Sequence, residues 1–241
     1  MSNIPNECII IGGGDSIKPY ISLLQPLCAT KFTILVNYAF KTFPGTFLVF
    51  TDREFYKPTP HEPGKEDNPD FYDDLKELPL IIGIDDEDGI DKIKLDNTIL
   101  LNKKEAEPLT GILALKLALR LMHTGTVYLL GFDWTRRKGL PERDPKYSPI
   151  SKMPTHYYNN INHRGIGYLG YYENHNPERD FGKITKRDTL KIYNVSPESN
   201  IECFEKITYE KMFSLLSADQ VNQSELRKEI INKINRKDTD R

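Results

Sequence analysis

The sequence predicts an α/β protein built on a mostly parallel, doubly wound sheet with a long lid insertion. Three observations lead there. Short runs of apolar, often β-branched residues recur along the chain, at 8–11, 32–36, 46–50, 80–84, 98–101, 126–130 and 191–194. Most are continuous rather than alternating, as parallel strands covered on both faces require. The first run ends in Gly12-Gly13-Gly14 and then Asp15-Ser16, a strand handing over to a capped helix. A segment apolar nearly all round, 109–122, passes through His123-Thr124-Gly125 directly into the run at 126–130. That is the α-to-β step of a Rossmann-like sheet.

Taking the elements in order, helices are expected at 17–27, 71–78 and 109–122. The segment 57–68 mixes prolines and a glycine with charges and reads as a surface loop. Residues 135–188 lack sustained periodicity and are dense in Tyr, Pro, Asn and basic residues. A stretch that long inside a compact domain usually carries function, so it reads as a lid. Leu226, Ile230, Ile231 and Ile234 stand at helical spacing near the end, before a charged tail. A terminal helix there would dock on the domain or on a second subunit as a homo-oligomer. The expected organisation is a nucleotide-binding core at 1–134, a lid and acceptor-binding insertion at 135–190, a return to the core at 191–215, and a helix with its tail at 216–241.

Composition narrows the function. The net charge of −2 disfavours a dedicated nucleic-acid binder, but it hides a local asymmetry. Residues 62–91 carry twelve Asp and Glu; residues 136–191 carry twelve Lys and Arg against six acids. The basic, tyrosine-rich segment could therefore meet phosphates. Cys8, Cys28 and Cys203 are odd in number and unpaired in spacing, against a disulfide framework or a zinc site. The longest apolar run, 109–122, contains Lys116 and Arg120 and is too short to span a bilayer. A soluble cytoplasmic protein without stable membrane insertion is expected.

The glycine loop is the first place to look for chemistry. Gly12, Gly13 and Gly14 allow close backbone approach, and Asp15-Ser16 opens a helix whose free N–H groups and dipole favour an anion such as a nucleotide phosphate. A plain strand-to-helix turn is the competing reading. A dinucleotide fingerprint is disfavoured: Ile17 stands where the third glycine belongs, and the second strand ends in Asn37 rather than an acid. No Lys-Ser/Thr follows the glycines either, so the Walker pattern fails.

Other candidates fall at strand ends. Asn37 could bond a ribose or pyrimidine, or merely cap a turn. Asp52 could bind a sugar hydroxyl and Arg53 a phosphate, with a solvated Asp–Arg turn as the equal alternative. Thr110 and Gly111 open the buried helix, where a glycine would admit a ligand. Asp133 closes the strand at 126–130 beside Trp134, as a site residue or as a helix cap. In the lid, His156 beside Tyr157 and Tyr158 could act as a base, with His163 and His175 as rivals, although a histidine in a polar loop is more often only solvated. The triplet Asp86-Glu87-Asp88 resembles a metal-binding D-x-D, but in a run this acidic a solvated turn is the favoured reading.

The order of these features, I-I-I-G-G-G-D-S at 9–16, L-V-N-Y-A at 35–39, F-L-V-F-T-D at 47–52, T-G-I-L-A-L-K-L-A at 110–118, Y-L-L-G-F-D at 128–133, the histidine-tyrosine block at 156–158 and I-Y-N-V-S-P-E-S at 192–199, resembles a known superfamily. It unites bacterial lipooligosaccharide sialyltransferases, motility-accessory-factor glycosyltransferases and archaeal 6-hydroxymethylpterin diphosphokinases. The resemblance covers residues 7–205. It implies that the loop from Gly12 to Ser16 holds the nucleotide phosphate and that Asn37 contacts the nucleotide or donor sugar. Thr110 and Gly111 would face the donor, Asp133 would line the pocket, and Ser196 and Ser199 would approach the nucleotide. His156 would be the general base, with Tyr157 and Tyr158 steadying the leaving phosphate. Asp15 stands where relatives often have proline, which puts a carboxylate beside the phosphate.

The expected function is thus a metal-independent glycosyltransferase taking a nucleotide-activated sugar, CMP-linked by preference, and a glycan or other hydroxyl acceptor. It needs no separate cofactor. One alternative is a Mg²⁺-dependent pyrophosphokinase acting on a pterin-like alcohol. Another is a nucleic-acid-binding or nucleic-acid-modifying protein using Arg136, Arg137, Lys138, Lys146, Lys152 and the lid tyrosines.

Overall fold

The computed structural model describes residues 4–51, 74–84, 95–105, 107, 109–133, 177–184 and 188–236. Asp52, the acidic triplet at 86–88, and His156, Tyr157 and Tyr158 lie outside the described residues, as do most of the expected lid and the end of the tail.

Eight strands form one sheet: β1 (Glu7–Ile11), β2 (Thr33–Val36), β3 (Phe47–Val49), β4 (Ile81–Ile84), β5 (Thr98–Leu101), β6 (Gly125–Leu130), β7 (Leu190–Asn194) and β8 (Glu205–Lys206). Their spatial order is β5-β4-β3-β2-β1-β6-β7-β8, and every pairing is parallel. The chain winds outward from β1 to β5, crosses back, and restarts at β6 on the other side of β1. The sheet therefore reverses direction between β1 and β6, whose registers run Ile9 to Tyr128 and Ile11 to Leu130. This is the doubly wound architecture that the apolar runs anticipate.

Alternation along the strands feeds two cores. Cys8, Ile10, Ile34, Val36, Val127 and Leu129 face one side. There they meet α2 (Thr110–Leu121), the crossover between β5 and β6, and the terminal helix α5 (Gln223–Arg236). Ile9, Ile11, Leu35, Leu48, Tyr128 and Leu130 face the other side, against α1 (Ile21–Thr30) and α4 (Tyr209–Leu215). The short α3 (Pro177–Gly182) contributes Phe181 to the first core. Nine of the twelve residues of α2 are buried, which explains its lack of a polar stripe.

Some elements differ from the sequence reading for identifiable reasons. The helix expected at 17–27 is two pieces, a 3-10 helix over Asp15–Tyr20 followed by α1. Pro19 sits in the first piece and supplies no N–H there. At the far end Thr30 extends α1 by donating its hydroxyl to Leu27 O at 3.1 Å. β8 and α4 carry no strong periodic signal and are additional to the elements expected.

The terminal helix docks on this chain's own core, the first of the two places the sequence allowed. Leu226, Ile230 and Ile234 are buried in it. Polar anchors hold its start against the amino ends of the strands: Gln223 donates to Ala29 O and Lys31 O, and Arg227 to Thr46 O. Beside it, buried Lys31 donates to Ser217 O and Asp219 O, each at 2.6 Å, and lies 3.7 Å from Glu7. Glu7 in turn accepts from the Ser217 N–H and hydroxyl. No helix among the described residues is long and apolar enough to cross a membrane.

Candidate functional site

In open α/β sheets ligands bind outside the carboxyl ends of the strands where the order reverses. Here that place lies between the exits of β1 and β6. It is framed by Gly12–Ser16 on one side and Gly131–Asp133 on the other.

The two exits are zipped together. The Gly12 N–H donates to Leu130 O at 2.7 Å and the Gly14 N–H to Gly131 O at 2.8 Å. Gly131 has φ +69°, a left-handed conformation that glycine adopts without penalty. Gly14 has an ordinary extended backbone, so another constraint explains it. A Cβ there would lie 2.5 Å from Asp133 Cγ and 2.7 Å from Gly131 O. The glycine leaves room for an aspartate.

Asp133 is buried and its carboxylate faces back into the loop. It accepts from the Ser16 N–H at 2.8 Å, from the Ser16 hydroxyl, and from the Ser196 hydroxyl at 2.7 Å. The helical start at Asp15 has Gly14 at its cap position and no capping side chain of its own. Asp133 supplies the cap from 117 residues away. These contacts make Asp133 a cap for the helix that follows the glycine loop. Of the loop amides, Gly12, Gly14 and Ser16 are engaged internally, while Gly13 and Asp15 N–H have no hydrogen-bond partner among the described residues. The Asp15 carboxylate, half-exposed, pairs with Lys18 at 3.1 Å.

The remaining candidates divide into two groups. Some stand at the rim. Asn37 follows β2 with φ +50°, a left-handed conformation that asparagine tolerates better than most residues, and starts a 3-10 helix over Asn37–Lys41. Thr51, after β3, shares a 2.6 Å hydrogen bond with the buried Thr110 hydroxyl at the start of α2. This brings the ends of β3 and α2 together.

The others support the β6 exit from within. At Gly111 a Cβ would lie 2.6 Å from the Phe132 ring, so the glycine makes room for that side chain. Ser199 is buried and donates to Phe132 O at 2.7 Å; Asn194 donates to the same oxygen at 3.2 Å. Ser196 is spent on Asp133. The two serines thus act on the site through β6.

Sequence reasoning passed over Tyr209. From the first position of α4 its hydroxyl reaches within 3.4 Å of the Ser16 hydroxyl. Its ring stacks on Tyr20 with centroids 4.0 Å apart. Burial pushes this phenol well above its ordinary value, against a smaller opposing effect of the Ser16 hydrogen bond. Tyr209 is therefore a neutral phenol at the back of the loop. No local pattern marks it, since only the tertiary fold joins it to Ser16. Among the described residues no group of three or more His, Cys, Asp or Glu side chains is placed to hold a metal. Comparison with known protein families, curated proteins and solved structures gives no match for this chain.

Proposed function

We propose that this chain is a glycosyltransferase that binds a nucleotide-activated sugar, CMP-linked by preference, at the carboxyl edge of the sheet beside the glycine loop that follows β1. One observation carries the reading: residues from separate motifs, Gly12 to Ser16, Asn37, Thr51 and Asp133, all follow the carboxyl ends of four neighbouring strands, β1, β2, β3 and β6. Among the described residues the amides of Gly13 and Asp15 have no hydrogen-bond partner, and Asn37 and the Thr51–Thr110 pair follow the carboxyl ends of β2 and β3 in the same sheet. The amides suit a phosphate oxygen, and the Asn37 amide suits a ribose or cytosine edge.

In this reading His156 removes the proton of the acceptor hydroxyl as that oxygen attacks the anomeric carbon. The bond from that carbon to the phosphate oxygen breaks, and Tyr157 and Tyr158 donate to the departing CMP phosphate. The lid selects the acceptor, and the protein works in the cytoplasm without a metal. The test is incubation with CMP-sugars in EDTA, following CMP release and sugar transfer by chromatography. Turnover that His156→Ala lowers by about a hundredfold or more supports the reading. Neither transfer nor donor hydrolysis would end it, and turnover of ATP only with Mg²⁺ would replace it with pyrophosphoryl transfer.

A further inference from the structure

We infer that Asp133 is the positioning residue of the glycine loop, acting on a bound ligand only through that loop, with Ser196 fixing its carboxylate. The inference deepens the proposed function, since it assigns how the binding edge is held in shape. Four observations carry it. Asp133 is 7% exposed, and three donors already occupy its two oxygens. Two of those donors belong to Ser16, so the carboxylate grips the loop by backbone and side chain at once. Its own carbonyl accepts from the Asn200 N–H at 3.1 Å, which ties residue 133 to the segment after β7. Finally, Gly14 is excluded from bearing a side chain by this same carboxylate.

The consequence is a loop fixed before any ligand arrives. With Gly12, Gly14 and Ser16 pinned, the intervening amides of Gly13 and Asp15 keep one orientation, and ordering them costs a ligand little. Ser196 reaches the same carboxylate oxygen as the Ser16 hydroxyl. Tyr209 closes the chain behind Ser16.

The chemistry yields a test that separates positioning from direct participation. In Asp133→Asn the amide oxygen still accepts from the Ser16 N–H, and the amide nitrogen donates to the two serine hydroxyls, which turn to accept. Hydrogen bonding survives while the charge is lost. In Asp133→Ala both are lost. Amide hydrogen exchange of Ser16 is measured by NMR on the wild type, both variants and Ser196→Ala, which keeps the Ser16 contacts if Asp133→Ala fails to fold.

The inference predicts exchange about tenfold or more faster in Asp133→Ala, a smaller rise in Ser196→Ala, and near-wild-type exchange in Asp133→Asn. Affinity for CMP relative to cytidine should follow the same order. Unchanged exchange in Asp133→Ala would overturn the inference, as would an Asp133→Asn variant as impaired as Asp133→Ala. Should Asp133→Ala not fold, unchanged Ser16 exchange in Ser196→Ala would overturn it too. If the wild type binds neither CMP nor cytidine, the proposed function fails while the exchange data still decide the role of Asp133.

Discussion

Substituting Gly14 by alanine tests the packing of the site without touching its chemistry. The backbone there, φ −68° and ψ 152°, suits alanine, so the effect comes from the added methyl alone. That methyl would meet Asp133 Cγ and Oδ2 at 2.5 Å and Gly131 O at 2.7 Å. Neither neighbour is free to yield, since Ser16 and Ser196 hold the carboxylate and the Gly14 N–H holds Gly131 O. Overpacking of this kind costs about 1–3 kcal/mol. Displacing the carboxylate from the Ser16 N–H adds about 1.5–3 kcal/mol, and because the two effects share atoms their sum is about 2–5 kcal/mol. For a chain of 241 residues each kcal/mol lowers Tm by about 2 °C, so Gly14→Ala should melt about 4–10 °C below wild type. Gly182→Ala is the control: among the described residues nothing lies within 4 Å of its Cβ, and Tm should move by about 1 °C or less. Differential scanning fluorimetry suffices as the assay. Were Gly14→Ala to melt like wild type yet lose nucleotide binding, the glycine would serve ligand approach, and the argument from Asp133 would be refuted.

Three further outcomes follow from the same structure. Asn37→Gly keeps the left-handed backbone at no steric cost and removes the amide, so CMP affinity should fall by about tenfold; losses in Asn37→Ala and Asn37→Gly of stability but not affinity would assign the residue to the turn. Lys31→Met removes two carbonyl contacts and the partner of Glu7 from a buried position and should cost about 2–4 kcal/mol in urea unfolding, with a change below about 0.5 kcal/mol contradicting the clasp. Burial pushes the Cys28 thiol from its ordinary 9 up to about 12, and raises buried Cys8 as well. Because the unfolded chain releases these protons first, the stability they contribute is whole below about pH 9 and is lost as pH rises toward 12. Both thiols should accordingly resist alkylation at pH 8 until the chain is unfolded; rapid native-state labelling of either would contradict their burial.

Much of the fold was legible because parallel strands buried on both faces need continuous apolar runs, and such runs are visible one at a time. The α2 helix was readable for the same reason. Element limits were less so: whether Pro19 merely starts a helix or divides it depends on what the chain packs against. The pair Glu205–Lys206 has no apolar content to announce a strand and joins the sheet only because β7 offers an edge. The site shows the limit more clearly. The glycines could be read as a close approach, but not to what. Gly111 makes room for Phe132 and Gly14 for Asp133, and no local pattern identifies a neighbour that only the tertiary fold brings to the glycine. Ser196 and Ser199 were located at the site, yet their direction, into the β6 exit, is a tertiary fact. Tyr209 was missed because its role depends wholly on where α4 lands.

Isothermal titration of the wild-type protein with CMP in EDTA bears most directly on the proposed function. The account predicts saturable, metal-independent binding with one site per chain, weaker for cytidine than for CMP and weakened by Asn37→Gly. Absence of CMP binding at millimolar concentration, or binding of ATP alone and only with Mg²⁺, would contradict it.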